Sequence, residues 1–297
     1  MIKPILAAAS LVLTVNTMAA VEKQFPENNY VYRPKVDTGF EQYRTKSLRN
    51  SNKVVLTFDD GPHNTRTPKL LDMLKRENVK ATFFILTKNV NASNMYIIER
   101  ILKEGHILAS HDHDHDNNNG ESEQVFRDEL YDTVSMIESL KRKYNSNQIS
   151  SFYRFPYGAY GQNKFYHHFN IMKDVSDRIY GENCINFAFW DIDSADWLVQ
   201  LSPKQIAQNV LAHVVGGTAY RHKVRRTIFG NTKYEIKKYK INHPIGGGVA
   251  LLHDIHERSI EAAEIFIKEA KKQNIDIVPL DEVDEFSYRN KSCQSLL

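Results

Sequence analysis

The chain has 297 residues, of which 41% are hydrophobic, and its net charge at pH 7 is +3. This length and composition can bury one sizeable core, so a single domain accounts for the chain without a second folded unit. The net charge is too small to suggest nucleic acid as a partner.

The first twenty residues are typical of a secretory signal. Lys3 precedes an apolar stretch at residues 5–15, and the small residues Ala19 and Ala20 follow. A membrane anchor would need about 20 apolar residues, more than this stretch offers. We therefore expect a signal peptide at 1–20, a polar N-terminal arm at 21–50 that packs on the domain, and an exported protein. It would be periplasmic or secreted, with no stable membrane insertion.

Seven short apolar runs predict strands separated by helical segments. In one such segment, residues 121–144, Phe126, Leu130 and Val134 recur at four-residue steps, as an amphipathic helix requires. Alternating strands and helices predict parallel strands joined by helices, as in a (β/α) barrel, where chemistry collects at the C-terminal ends of the strands. The predicted strands are 54–58, 81–86, 107–109, 152–155, 185–190, 249–252 and 275–279.

The first of these runs ends in T-F-D-D-G-P, which places Asp59 and Asp60 side by side on a predicted turn. Two adjacent carboxylates repel each other, so a nearby cation would stabilise them. The same residues are also common in ordinary turns, because Asp accepts local backbone hydrogen bonds and Gly and Pro suit special torsions. The pair therefore needs partners elsewhere in the chain to indicate a site.

Histidines with a suitable spacing follow the third run. His111 and His115 are four residues apart, and with Asp60 they make the three protein ligands that leave an open position on a catalytic zinc ion. His113 could replace either neighbour on spacing alone. A solvated loop or an adventitious metal binder is the alternative interpretation of this His/Asp-rich stretch.

Three further groups of polar residues each follow a short apolar or aromatic run. They are Arg154-Phe155-Pro156-Tyr157-Gly158, Asp193-Ser194-Ala195-Asp196-Trp197 and Leu251-Leu252-His253-Asp254. With the Asp59 and His111 segments they make five motifs, in the order in which they occur in polysaccharide deacetylases. The chain thus resembles the NodB-homology type, carbohydrate esterase family 4, over residues from about 53 to 285.

The resemblance implies a role for each matching residue. Asp59 would be the general base and His253 the general acid, with Arg154 holding the base and Asp196 tuning the acid. Asp60, His111 and His115 would bind one divalent metal ion, zinc by default. The Tyr157 backbone N–H would bind the oxyanion, while Pro156, Tyr157, Trp197 and Leu251 would contact the substrate, Leu251 in the acetyl pocket.

The family's fold is an α/β fold, a distorted (β/α) barrel with fewer regular strands than eight, and about seven are expected here. The deacetylase domain would span 51–286, followed by a C-terminal tail at 287–297. One position departs from the family pattern: Asp112 occupies the place where the family usually has Ser or Thr.

Residues 216–245 look like an insertion into this domain. Residues 221–240 are rich in Lys, Arg and aromatic side chains, and Gly pairs and triplets flank the segment. A solvated basic excursion is one interpretation. The sharper hypothesis is a substrate-side flap whose aromatics stack on sugar rings and whose cations attract an anionic polymer.

The resemblance implies removal of N-acetyl groups from a glycan polymer, with release of acetate. Peptidoglycan carries acidic branches that a basic flap would attract, so we favour its N-acetylglucosamine, and chitin or chitooligosaccharides come next. Two other classes stay open. The run Asp191-Ile192-Asp193 faintly resembles the acidic runs of chitinase-like glycosidases, which use two carboxyl groups. A non-catalytic glycan-binding relative is the third.

The two cysteines, Cys184 and Cys293, allow two interpretations. An oxidising compartment would permit a disulfide between them. Cys184 also begins a predicted strand and could be a buried free thiol, since spacing alone does not establish proximity.

Overall fold

The computed structural model describes residues 43–161, 168–226, 232–288 and 293–297. Within these residues strands and helices alternate along most of the chain. The strands are β1 (Lys53–Asp59), β2 (Thr82–Ile85), β3 (Ile107–Ser110), β4 (Ser151–Tyr153), β5 (Ile185–Phe187), β6 (Ile192–Asp193), β7 (Gly217–Arg226), β8 (Thr232–Ile241), β9 (Gly248–His253) and β10 (Asp276–Ile277). The helices are α1 (Arg66–Glu77), α2 (Met95–Lys103), α3 (Glu123–Lys143), α4 (His168–Tyr180), α5 (Pro203–Val215) and α6 (Glu257–Lys272).

The main sheet is parallel and strongly curled. Its strand order is β5-β4-β3-β2-β1-β9-β6, so β5 and β6 lie at opposite ends although only residues 188–191 connect them. Four linking residues span at most about 17 Å, whereas six strand spacings of a flat sheet cover about 29 Å. The sheet must therefore curl until its ends approach, which confirms the predicted distorted (β/α) barrel with about seven strands.

The two faces of the sheet have different surroundings. Along β1, Val54, Leu56 and Phe58 belong to the core cluster that contains α1, α2, α5 and α6. Thr57 lies on the opposite face, where Arg154 reaches its hydroxyl from the end of β4. Two strands separate β4 from β1, so this contact crosses the concave side of the sheet, which we call the inner face.

Three of the predicted strands differ in extent or position. The run 152–155 is a strand only to Tyr153, and the run 185–190 only to Phe187. In 275–279 only Asp276–Ile277 form a strand, which pairs with the start of β1 outside the seven-strand path. The two-residue strand β6 takes the seventh place instead. The predicted helix 121–144 begins at Glu123, because Ser122 caps it by accepting a hydrogen bond from Val125 N.

The predicted insertion at 216–245 contains an antiparallel hairpin, β7 paired with β8 from Gly217↔Ile241 to Arg226↔Thr232. Its base is fixed to α5 by Asn209, whose Oδ1 accepts from Tyr220 N at 2.7 Å and whose Nδ2 donates to Tyr220 O at 3.1 Å. The hairpin is therefore held at its base by the domain.

Both ends of the described chain pack on the barrel. Thr45 donates from its backbone and its hydroxyl to the buried Asp191, and Leu48 is buried. Cys184 and Cys293 form a disulfide that ties the C-terminal residues to the start of β5, so the free-thiol interpretation was wrong. The predicted signal peptide and most of the predicted arm, residues 1–42, lie outside the described residues. In the described part of the chain, none of the helices has the length and apolar character needed to cross a membrane.

Candidate active site

Asp59 and His253 occupy the last inner-face positions of β1 and β9, and His111 directly follows the end of β3. Side chains alternate between the faces of a strand, so Asp59 shares the inner face with Thr57, two residues earlier. Asp59 and His253 are direct partners in the parallel register of β1 and β9, which places them side by side at the C-terminal edge. Leu251 is the partner of Thr57 and lies one inner-face step below His253, where it is buried.

Arg154 fixes the carboxylate of Asp59. Its Nη1 donates to Asp59 Oδ1 at 2.8 Å and to Thr57 Oγ1 at 2.7 Å. Its remaining nitrogens donate to the carbonyls of Ala188 and Phe189, at 2.8 and 3.1 Å. These two carbonyls accept from the guanidinium and are not used in strand pairing, which explains why β5 ends at Phe187. Burial raises the pKa of Asp59, and the charge of Arg154 opposes that rise.

Asp60, His111 and His115 converge on one point. His111 Nε2 and His115 Nε2 lie 3.6 and 3.4 Å from Asp60 Oδ1. One ligand atom from each residue lies within 4.8 Å of the other two. Asp60 Oδ1 is buried and accepts no hydrogen bond from the described residues. Two imidazole nitrogens and an orphaned carboxylate oxygen are the donor set of a divalent metal site, so these residues fit the metal that the resemblance implies.

The orientation of His111 is set by its other ring nitrogen. His111 Nδ1 lies 2.8 Å from the carbonyl oxygen of Arg154, so a proton on Nδ1 leaves Nε2 free to accept a cation. Burial lowers the pKa of His111 to about 3, which keeps the ring neutral. His113 turns elsewhere, because its Nδ1 lies 3.0 Å from the Thr87 hydroxyl. Of the assignments that the spacing left open, the structure brings His111 and His115 to Asp60.

His253 is bound to Asp196, which is fully buried. His253 Nδ1 lies 2.7 Å from Asp196 Oδ1, and Asp196 Oδ2 accepts from the His253 backbone and from the hydroxyl of Ser259 at 2.7 and 2.5 Å. Burial alone would lower the pKa of His253, but the charges of Asp196, Asp59 and Asp60 outweigh it and raise the pKa to about 10. The imidazole is therefore protonated at neutral pH.

Tyr157 has a left-handed backbone, with φ 57° and ψ 8°, directly after the buried Pro156. This conformation costs a non-glycine residue about 1–3 kcal/mol and is concentrated at functional sites. The Tyr157 ring packs edge-on against His115, with centroids 4.5 Å apart. Asp60 and His115 also have positive φ, at 74° and 71°. Backbone strain therefore clusters around the metal-ligand candidates.

Trp197 lies between the site and the hairpin. It is 44% exposed, its Nε1 donates to Asp193 at 3.4 Å, and its ring packs edge-on against His222 of β7 at 5.2 Å. On β7 and β8, Arg221 lies over the Tyr239 ring at 5.2 Å. The basic hairpin thus adjoins the residue expected to form the aromatic wall of the pocket.

Several supporting residues were not identified from the sequence. Thr57 and Ser259 complete the hydrogen bonds of Arg154 and Asp196, although neither type stands out in a sequence. Asp254 lies behind the turn at Gly61, where a side-chain Cβ would collide with its carboxylate. Glycine is therefore required at position 61. The signal for the contact between Gly61 and Asp254 is that the D-D-G-P and L-H-D segments lie at the ends of two neighbouring strands, β1 and β9.

Comparison with known proteins agrees with this geometry. Residues 46–169 match the family profile described as polysaccharide deacetylase. By this profile, the segment 46–169 is a polysaccharide deacetylase domain. The match covers the segments of Asp59, Asp60, His111, His115 and Arg154, and the resemblance to the NodB-homology type, carbohydrate esterase family 4, is confirmed.

Individual relatives support the same grouping. A peptidoglycan-N-acetylglucosamine deacetylase of Listeria monocytogenes is 29% identical over 236 residues, which are 79% of this chain and 39% of that protein. The chain thus spans less than half the length of this relative. The crystal structure of the Bc1960 peptidoglycan N-acetylglucosamine deacetylase is 27% identical, with a TM-score of 0.57 over 80% of this chain and 91% of that one.

A third comparison limits what the fold alone can establish. A pseudoenzyme of the same family from Bacillus anthracis, 22% identical, also has a TM-score of 0.57, over 80% of this chain and 66% of that one. Similarity of fold therefore does not separate catalytic members from non-catalytic ones. The separation depends on the residues of the site.

Proposed function

We propose that the protein is a metal-dependent hydrolase that removes N-acetyl groups from N-acetylglucosamine residues of peptidoglycan and releases acetate. The observation that carries this proposal is the pairing of Asp59 with His253. They are cross-strand partners at one edge of the barrel, one bound to Arg154 and the other to Asp196. A base and an acid held side by side next to a metal-ligand cluster suit the hydrolysis of an amide.

Asp60, His111 and His115 would hold one divalent cation, and zinc is our first choice because of the nitrogen-rich ligand set. When bound, such a cation supplies Lewis acidity, which favours deprotonation of water and polarises a carbonyl oxygen.

Asp59 would accept the proton of the attacking water. Its Oδ1 is engaged by Arg154, whereas its Oδ2 lies 3.6 Å from His111 Nε2 and so faces the metal-ligand cluster. The guanidinium thus leaves one carboxylate oxygen available and restrains its position. Charge on the tetrahedral intermediate would be stabilised by the Tyr157 backbone N–H, for which we find no acceptor among the described residues.

His253 would donate a proton to the sugar nitrogen as the C–N bond breaks. An amine is a poor leaving group unless it is protonated, and the pKa of about 10 keeps the imidazolium available at neutral pH. Asp196 would hold the ring through Nδ1 and so direct Nε2 toward the substrate. The products are acetate and a free amine on an intact polymer.

The basic hairpin supports peptidoglycan as the polymer. Arg221, Lys237, Lys238 and Lys240 are exposed, with Tyr239 among them and Trp197 near the hairpin base. Cations would attract the acidic peptide branches, and aromatic rings would stack on sugars. The Listeria relative and the Bc1960 protein, both peptidoglycan N-acetylglucosamine deacetylases, support the same substrate. A neutral polymer such as chitin is the second candidate.

The glycosidase hypothesis has less support. Both oxygens of Asp191 accept hydrogen bonds from the protein itself, from Thr45 and from Val249 N. Its carboxylate is therefore committed to joining the N-terminal segment to β9. The carboxylate of Asp193 likewise accepts hydrogen bonds from the protein itself, from Ala195 N and from Trp197 Nε1.

We also propose that the protein is exported. The Cys184–Cys293 disulfide suits an oxidising compartment, and the expected signal peptide at 1–20 has the same implication. The polymer would be met there, outside the cytoplasm.

The deciding experiment is acetate release from purified peptidoglycan and from chitin oligomers, with and without a chelator, with product masses measured in parallel. We expect chelator-sensitive acetate release, loss of one acetyl mass per event and unchanged chain length. Shortened sugars that keep their acetyl groups would favour a glycosidase. Binding of either polymer with no acetate release would favour the non-catalytic relative.

A further inference from the structure

Three carboxylates lie together behind the loop that carries His111 and His115. We call Asp112, Glu121 and Glu129 the acidic triad. One oxygen from each lies within 4.8 Å of the other two. Asp112 follows His111, two residues after the end of β3. Glu121 precedes Ser122, the cap of α3, and Glu129 lies in the second turn of α3. Three chain segments therefore bring negative charge to one place.

The hydrogen bonds around the acidic triad leave three oxygens unused. Asn118 Nδ2 donates to Asp112 Oδ2 at 3.3 Å and to Glu121 Oε1 at 2.9 Å. Asp112 Oδ1, Glu121 Oε2 and Glu129 Oε2 are buried and accept nothing from the described residues. Asp112 is 0% exposed, and burying an ionised oxygen without a donor or a cation costs several kcal/mol. A cation or a proton on these oxygens would remove that cost.

Within the described residues, no ion pair involves the acidic triad. Burial and then the charges of Asp112 and Glu121 raise the pKa of Glu129 to about 7, which reflects the mutual repulsion of these groups. A cation bound among them would turn that repulsion into attraction.

We propose that the acidic triad binds a hard divalent cation of the calcium type, at a site separate from Asp60, His111 and His115. Calcium takes carboxylate oxygens at about 2.3–2.6 Å in flexible geometry, so two ligands of one ion lie up to about 5 Å apart. The spacing in the acidic triad falls within that limit. An all-oxygen donor set distinguishes this site from the nitrogen-rich site nearby, because hard cations prefer oxygen and zinc prefers imidazole.

The bound cation would connect the metal-ligand loop to α3. Asp112 has a left-handed φ of 77°, and its carbonyl accepts from Thr87 N at 3.2 Å. Fixing the Asp112 side chain to Glu121 and Glu129 would hold this strained residue and, through the preceding peptide bond, the backbone of His111. The cation would thus act as a structural element that positions the first histidine ligand. This gives a reason for an aspartate at the position where Ser or Thr is usual.

The test is titration of CaCl2 into the zinc-loaded protein by calorimetry, together with the melting temperature with and without CaCl2. Zinc loading fills the Asp60 site, so that the heat reports the second site. The variants are Glu129→Gln and Glu121→Gln, which keep the shape of each side chain and remove one charge. Asp128→Asn is the matched control, because it removes one exposed carboxylate from the same turn of α3.

We expect one calcium ion per wild-type chain and a melting temperature that rises with CaCl2. Loss of outer-shell partners alone weakens metal sites by about 10–100-fold, so each Gln variant should weaken calcium binding at least about tenfold. Asp128→Asn should bind as the wild type does. If one Gln variant fails to fold, the other still tests the site.

Two results would overturn the proposal. One is a wild-type protein with neither calcium-dependent heat nor a calcium-dependent melting temperature. The other is calcium binding of equal strength in the wild type and both Gln variants, which would place the ion elsewhere. Neither readout uses deacetylation, so failure here and failure of the proposed function are separate outcomes.

Discussion

Arg154 donates one hydrogen bond to Asp59, from Nη1 to Oδ1 at 2.8 Å, and both side chains are buried. The second oxygen, Oδ2, faces His111. The guanidinium therefore neutralises the carboxylate from one side and leaves the other side for chemistry. Because Arg154 also binds two carbonyls between β5 and β6, the position of the proposed base depends on the curl of the sheet.

Arg154→Met should destabilise the fold and weaken the proposed base. Removing one partner of a buried ion pair costs about 3–5 kcal/mol of unfolding free energy, because the other charge stays buried. The pKa of Asp59, already raised by burial, should rise further, so that the acid limb of the pH–rate profile moves to higher pH. Denaturant unfolding and acetate release against pH measure the two effects.

Arg127→Met is the control for Arg154→Met. Arg127 pairs with Asp174 at 3.1 Å on the surface, where such pairs contribute about 1 kcal/mol or less. Equal losses of stability in the two variants, with unchanged acid limbs, would contradict the role given to Arg154.

Asp196→Asn should shift the alkaline limb of activity. His253 must be protonated to donate, so activity falls as the pH rises through its pKa, which is raised to about 10. Without the charge of Asp196, burial lowers that pKa, and the alkaline limb should move down by at least about one unit. Acetate release measured from pH 6 to 11 shows the shift.

Two comparisons support this prediction. Asp193→Asn removes a nearby carboxylate that accepts a hydrogen bond from Trp197 and not from His253. The alkaline limb should therefore move less in this variant than in Asp196→Asn. His253→Ala should lower turnover by roughly a hundred- to ten-thousand-fold and retain the metal. Superimposable alkaline limbs for Asp196→Asn and the wild type would show that His253 is not the acid.

The metal content of histidine variants should separate ligands from neighbours. His111→Ala and His115→Ala each remove a ligand and should lose the bound metal, whereas His113→Ala should keep it, because His113 contacts Thr87. Elemental analysis of the purified variants gives the metal per chain. Full metal content and activity in His111→Ala would refute the ligand assignment and make His113 the first suspect.

The positions of the proposed catalytic residues were accessible from the sequence because they obey a simple periodicity. Asp59 and His253 each follow an inner-face residue by two, and parallel strands bring their C-terminal ends to one edge. The family resemblance then assigned roles that periodicity alone could not. Alternating strands and helices also predicted the parallel strands, and the resemblance implied the distorted barrel.

Other features depend on contacts that no local pattern encodes. β6 has two residues, too few to show alternation, so the sequence predicts the apolar run 275–279 as the seventh strand instead. The end of β5 is set by the buried guanidinium of Arg154, which lies more than thirty residues earlier in the chain. The contact of Trp197 with His222 requires the position of the hairpin, which spacing does not give.

The Cys184–Cys293 disulfide should contribute to stability and leave catalysis unchanged. It closes a loop across 109 residues, and disulfides of this kind typically contribute about 2–4 kcal/mol. Cys184 precedes β5, at the end of the strand opposite the site. The double replacement by Ser should lower the unfolding free energy by that amount, measured with denaturant. A large loss of turnover at temperatures where the variant is folded would contradict this separation.

The basic hairpin gives the sharpest test of polymer choice. Lys237, Lys238 and Lys240 are exposed on β8, and β7 contacts Trp197 through His222. Changing all three lysines to Glu should raise KM for peptidoglycan roughly tenfold at low salt, because attraction to acidic branches becomes repulsion. Turnover of a neutral chitin oligomer should stay the same, because the acid, base and metal ligands are untouched.

A matched control changes Lys53, Lys75 and Lys103 to Glu, which alters the net charge equally at exposed positions outside the hairpin. If both triple variants raise KM alike, the effect belongs to overall charge and the hairpin has no local role. If neither does, the hairpin is a solvated excursion. A rise in KM that is confined to the hairpin variant and to peptidoglycan, and that high salt abolishes, would indicate that the polymer lies along β8 during catalysis. Salt at 0.1 M largely screens exposed charges that are more than about 10 Å apart, so the attraction acts at short range.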